Sequence, residues 1–179
     1  QAFNAFKQIK NNPIKLLYYT GIEVDLIPFG NIENGAREVV LNKPVAFTLQ
    51  MPGFAQVEAF VQPVQAEDLV LNICPLEGLI MLKLFSYTDK PDRTKDVTDI
   101  EHIIHAYFDW NADEIYQSDI LEKYDDAQTG VALWQPTVAA HLIGRKIKAM
   151  VANSPDLQTR LVAILTPSPN PLWQAINNG

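Results

Sequence analysis

Three stretches of this chain combine residue types and spacing that suit chemistry on phosphate. In Glu23-Val24-Asp25-Leu26-Ile27-Pro28-Phe29-Gly30, strand alternation places Glu23, Asp25, Ile27 and Phe29 on one face. An ionised carboxyl beside two large apolar groups is expensive to bury alone, so Asp25 calls for a cation, a set of donors or a divalent metal. At a sheet rim it is instead solvated or caps a turn. Lys83 stands in Leu79-Ile80-Met81-Leu82-Lys83-Leu84-Phe85, a helix with almost no polar face and therefore buried on most sides. Its ammonium either snorkels out along its stem or meets an anion, for which a nucleotide phosphate or a nearby Asp would serve. Asp92-Arg93-Thr94-Lys95-Asp96-Val97-Thr98-Asp99 opens the next helix, and Arg93 and Lys95 there make a positive corner suited to phosphate. Asp96 and Asp99 oppose that phosphate unless Lys83, Arg93 or a metal offsets them. The plainer alternative is a solvated edge, with Lys95 paired to Asp99 one turn on and Asp92 or Thr94 as cap.

The elements that must position these groups follow from pattern. The spacing of Phe3, Phe6, Ile9 and Lys10 predicts a helix that ends before Pro13. Two strand-like runs over 15–20 and 22–27, joined at Gly21, predict a hairpin. Residues 30–44 read as a loop, 53–60 as a short helix, and 61–64 and 69–73 as strands of a half-buried sheet. After Pro75 the period changes, and helices are expected at about 75–87, 93–107, 111–123, 130–151 and 155–165, with one last turn over 172–176 after a proline-rich extended tail. Strands followed by helices imply an α+β unit with a helical C-terminal subdomain.

Composition narrows the classes. With 179 residues and 47% hydrophobic content, the chain can bury a core. A formal net charge of -7 argues against broad electrostatic capture of nucleic acid. One cysteine, Cys74, excludes an intramolecular disulfide framework and fits a reducing, cytoplasmic compartment. No apolar run suggests a membrane span, and Gln1–Phe6 lacks signal-peptide character. The start at Gln1 without Met suggests a trimmed or fragmentary product.

Other reactive residues have blander explanations. His102 and His105 have helical spacing but no zincin Glu, so they read as a coincidental pair. His141 reads as a partly buried, satisfied histidine and Cys74 as a small buried thiol. Arg145, Lys146 and Lys148 are either an RNA contact or a solvated helix face, with the face favoured. Trp110, Trp134 and Trp173 read as packing residues.

The order of the blocks adds information. Val24-Asp25-Leu26-Ile27-Pro28-Phe29-Gly30, then Leu82-Lys83-Leu84, then Arg93-Thr94-Lys95-Asp96-Val97-Thr98-Asp99, and later Leu142-Ile143-Gly144-Arg145, together resemble the minimal nucleotidyltransferase superfamily, and within it the abortive-infection (AbiE-type) toxin branch. The resemblance spans roughly residues 15 to 165. It departs from the family at the front, where no Gly-Ser motif and Asp-x-Asp pair precede Asp25, so about one strand-helix-strand portion is expected to be missing. On this basis residues 1–74 are expected to form an incomplete nucleotidyltransferase-type mixed sheet with flanking helices, and residues 75–179 the mainly helical region.

The resemblance implies metal-assisted transfer of a nucleotide from a nucleoside triphosphate to a hydroxyl of RNA, such as tRNA, or of protein. Magnesium or manganese ions would be held by carboxylates. Asp25 would be the third metal-binding carboxylate. Lys83, Arg93 and Lys95 would clamp the phosphates, and Asp96 would position Lys83 or touch the nucleotide. A toxin role implies an antitoxin partner. The alternatives are a catalytically inactive nucleotide-binding or protein-interaction module of the same fold, and a helical adaptor with no nucleotide site.

Overall fold

Hairpin chemistry organises the first part of the chain. In the computed structural model, which describes residues 5–30, 32–42, 46–89, 94–124 and 131–179, strands β1 (Phe6–Gln8), β2 (Lys15–Tyr18) and β3 (Glu23–Asp25) form an antiparallel sheet in the order β1-β2-β3. The expected β2–β3 hairpin is present, turning through Gly21 at φ +91°, a left-handed conformation that glycine adopts without a Cβ penalty. The expected N-terminal helix is replaced, in its described part, by β1. Phe6 lies opposite Tyr18 with the rings 5.1 Å apart, and such cross-strand aromatic pairing outweighs a three-residue helical spacing. Residues 30–44, read as loop, contain β4 (Glu38–Leu41), which pairs with β5 (Phe47–Gln50) as a second antiparallel ribbon. β-branched Val39 turns inward and is buried.

Two compact units divide between Ala55 and Gln56, within the short helix α1 (Phe54–Glu58). In the first unit, Val39 and Met51 are the buried hydrophobic residues among those described. In the second, β6 (Gln62–Ala66) and β7 (Leu69–Ile73) form a hairpin that precedes helices α2 (Leu76–Asp89), α3 (Thr94–Trp110), α4 (Ala112–Gln117), α5 (Ile120–Tyr124), α6 (Val131–Met150), α7 (Pro155–Leu165) and α8 (Pro171–Asn178). The α+β class and the helical C-terminal part are therefore present. The strands pair as three separate antiparallel sheets instead of a single mixed one, because short strands joined by local turns meet their sequence neighbours first. The β6–β7 hairpin is exposed throughout, where a half-buried sheet was expected. Alternation reports which side chains share a face and says nothing of whether a layer covers it.

The helices bury one continuous cluster that includes Ile80, Leu84, Phe85, Ile100, Ile104, Ile143 and Trp173. The predicted 111–123 helix is broken at Ser118, whose extended backbone and hydroxyl, accepting from the Ile120 amide, end α4 and start α5. The last turn is a full helix, α8, because the Asn170 side chain accepts from the Leu172 and Trp173 amides and Pro171 fits the first helical position. Gly144 explains how closely α6 and α8 approach: a Cβ there would lie 2.0 Å from the Ile176 carbonyl oxygen. Among the described residues, no helix is long and apolar enough to cross a membrane.

Candidate functional site

Helix α2 buries Glu77, Ile80, Met81, Leu84 and Phe85, which leaves Lys83 on the border of the buried surface with its side chain 20% exposed. α3 supplies the anions. Its buried stripe runs Asp96, Ile100, Ile104, Tyr107 and Phe108, so the first-turn Asp96 falls on the same face as the core residues. Asp99 lies three positions further on, at the rim of that stripe. The Lys83 ammonium donates to Asp99 Oδ2 at 2.7 Å and to Asp96 Oδ1 at 3.3 Å. Asp96 is only 2% exposed, whereas the Asp99 side chain is 32% exposed.

The Lys83 ammonium and the positive end of the α3 dipole offset part of the cost of burying the Asp96 carboxyl. The hydrogen bond from Lys83 holds Asp99 below the usual carboxylate range, with Lys95 and His102 adding attraction at longer range. The expected Lys95–Asp99 partnership is thus displaced by Lys83, which reaches Asp99 from the facing helix. Lys95 itself is exposed on α3. Arg93 and Asp92 lie outside the described residues.

Asp25 belongs to the first unit. It is exposed at the end of β3, directly opposite Lys15 in the ladder, and Lys15 bonds Glu23 at 2.6 Å. The carboxyl is therefore at the sheet rim, in the solvated setting. Among the described residues no three His, Cys, Asp or Glu side chains gather as a metal-ion cage, so the described residues do not by themselves build the two-metal centre that the resemblance implies.

A second polar cluster escaped the sequence reading. Lys146 of α6 donates to Glu114 Oε2 at 2.6 Å and to the Tyr107 hydroxyl at 3.1 Å, and lies 3.6 Å from Glu77 Oε1. Tyr107 in turn donates to Glu77 Oε2 at 3.3 Å. Burial, above all, pushes the Tyr107 phenol up to about 12. The Lys146 ammonium is held above its ordinary value by Glu114 and Tyr107, against the opposing effect of burial. Glu77 reads in sequence only as a helix-start acid, and Tyr107 as one member of an apolar stripe. Nothing local tells that α6 brings a cation between them.

The other candidates separate cleanly. His102 and His105 are both exposed. His141 is buried, and desolvation lowers its imidazole to about 4. The Cys74 thiol is half-buried and raised by desolvation, which makes it a poor nucleophile. Arg145 bonds Asp119. Trp173 is buried against Tyr87 in an edge contact, Trp134 packs on Phe108, and Trp110 is 68% exposed.

No protein-family model, curated protein or solved structure matches this chain.

Proposed function

We propose that the chain is a nucleotidyltransferase-type protein whose helical unit carries the phosphate-binding side of the site. The observation that supports this reading most is the placement of Lys83 against Asp96 and Asp99, which draws two separated sequence blocks into one cluster. Asp96 orients the ammonium from the buried side. Asp99 is the replaceable partner, since its bond is at the rim, where water and incoming anions compete for it. A triphosphate would take the place of Asp99 at Lys83, with Lys95 on the same helix adding positive charge. Transfer of the nucleotide to an RNA or protein hydroxyl, a toxin role and a cytoplasmic location belong to the same proposal. Labelled-nucleotide transfer by the full-length protein tests it. Substitution of Asp25 or Lys83 should abolish incorporation, and wild-type incorporation in either variant would sink the assignment.

A second reading, an inactive interaction module, is favoured by one observation. Val64, Leu69, Leu71 and Ile73 lie on one face of the β6–β7 hairpin, each at least 45% exposed, and surfaces of this kind tend to be contact sites. Pull-down partners that are lost with Leu71→Lys, together with no nucleotide binding, would favour this reading over the enzyme.

A further inference from the structure

The β6–β7 hairpin has every residue of both strands exposed, although a two-stranded ribbon alone in water is marginally stable and ordinarily gains a third strand or a covering helix. Its two edges are not alike. Ala66 pairs with Leu69 across the two-residue turn Glu67-Asp68, which makes that pair hydrogen-bonded, and the alternation continues with Val64–Leu71 and Gln62–Ile73. The backbone polar groups of Pro63 and Gln65 on β6, and of Val70 and Asn72 on β7, therefore point away from the hairpin. Pro63 has no N–H to offer there, so the β6 edge is blunted in the way natural sheet edges commonly are. The β7 edge, Leu69-Val70-Leu71-Asn72-Ile73, has no proline and no charge, and among the described residues no strand pairs with its outer side.

The sequence of β7 is complementary to itself. Laid antiparallel across a two-fold axis at Leu71, the strand sets Leu71 opposite Leu71, Leu69 opposite Ile73, and Val70 opposite Asn72 of the second copy. Val70 and Asn72, whose backbone groups point outward, fall into the hydrogen-bonded pairs, so the register that matches the apolar side chains also matches the backbone. Charge is compatible with this pairing. Copies of a chain of net charge -7 repel one another, yet β7 brings no like charges face to face, and the two acidic Glu67-Asp68 turns lie at opposite ends of the ladder. Because β6 is blunted, addition closes at two copies instead of running on as a filament.

We propose that β7 is a homodimer edge at which two copies of this chain join their hairpins into one antiparallel sheet in the order β6-β7-β7-β6. Leu69 and Leu71, 65% and 45% exposed, gain cross-strand apolar neighbours with no change in the hairpin itself. The dimer gives the hairpin an occupant under either functional reading. No residue of the Lys83 cluster takes part, so a failed dimer leaves the nucleotide reading standing.

Sedimentation velocity on the whole chain over a range of micromolar concentrations tests it, with a reversible monomer–dimer equilibrium expected. Val70→Pro removes an outward donor and leaves the β6–β7 bonds in place, so it should weaken the dimer about ten-fold or more while circular dichroism stays unchanged. Leu71→Lys and Leu71→Glu should each sediment as monomers, because like charges then meet across the axis. An equimolar mixture of the two should recover a dimer, since opposite charges face one another. A wild type that is monomeric at every concentration would overturn the proposal, and slow hydrogen exchange at the Val70 and Asn72 amides of that monomer would assign the edge to another segment of the same chain. A dimer as tight in Val70→Pro as in the wild type, or a Lys/Glu mixture that stays monomeric, would overturn it equally.

Discussion

Two lysines of the helical unit sit against carboxylates in different ways. Lys146 is shared among groups from three other helices, Glu77 of α2, Tyr107 of α3 and Glu114 of α4. Releasing it would disrupt contacts across all of them. Both partners of Lys83 lie in the first two turns of α3, and the closer one is on the rim. A cation shared among three other helices is costly to the fold to release, while a cation whose closer partner is a rim carboxylate of a single helix can exchange that partner for a ligand at smaller cost. Under the proposed function, ligand exchange belongs to Lys83 and structural work to Lys146.

The sharpest way to break the contrast is Lys146→Met. It leaves Glu77 buried without its cation and should cost about 3 kcal/mol in urea unfolding, the low end for a broken buried pair because Glu114 is partly solvated. Adding Glu77→Gln should recover part of that loss. An unchanged midpoint for the single variant would mean that the cluster is not a clasp.

Next in size is an alkaline effect carried by Tyr107. Its folded value, about 12, lies above the ordinary 10, so the folded state holds the proton longer than the unfolded chain does. The associated stability is complete below pH 10 and is lost as the pH climbs through about 12, by roughly 2–3 kcal/mol. Tyr107→Phe should remove this part of the pH dependence, and an identical alkaline slope in that variant would refute the account of the cluster.

Lys83→Gln should cost less, about 1–2 kcal/mol, because the positive end of the α3 dipole still meets part of the Asp96 charge while the charge-assisted bonds of one lysine within a single helix pair are lost. The smallest effect belongs to Asp99→Asn, which should shift the urea midpoint least of these variants. If it shifted the midpoint as much as Lys146→Met does, Asp99 would be a structural anchor and the exchangeable-partner idea would fail.

The sequence carried the class of fold and most helices, because the apolar period along α2, α3 and α7 is set by what each buries. It also marked Lys83, since a lysine within Leu82-Lys83-Leu84 has few places to put its charge. Three features were hidden for physical reasons. β1 depends on Tyr18 across the ladder, a partner at a distance that local spacing does not show. α8 depends on the Asn170 cap, easily overlooked between Pro169 and Pro171. The Lys146 cluster arises only when α6 crosses the others, and neither Glu77 nor Tyr107 signals its partner locally. Gly144, noted in sequence only as part of a likeness, turned out to have a packing reason in the carbonyl of Ile176.

The most direct test of the contrast is calorimetric titration of the full-length protein with ATP, then the other nucleoside triphosphates, in magnesium buffer. Saturable binding should be weakened about ten-fold or more by Lys83→Gln, the equivalent of one lost charge-assisted contact. It should be held or strengthened by Asp99→Asn, and left unchanged by Lys146→Gln in protein that remains folded. Binding that survives Lys83→Gln intact, or that is absent from the wild type, would contradict the account.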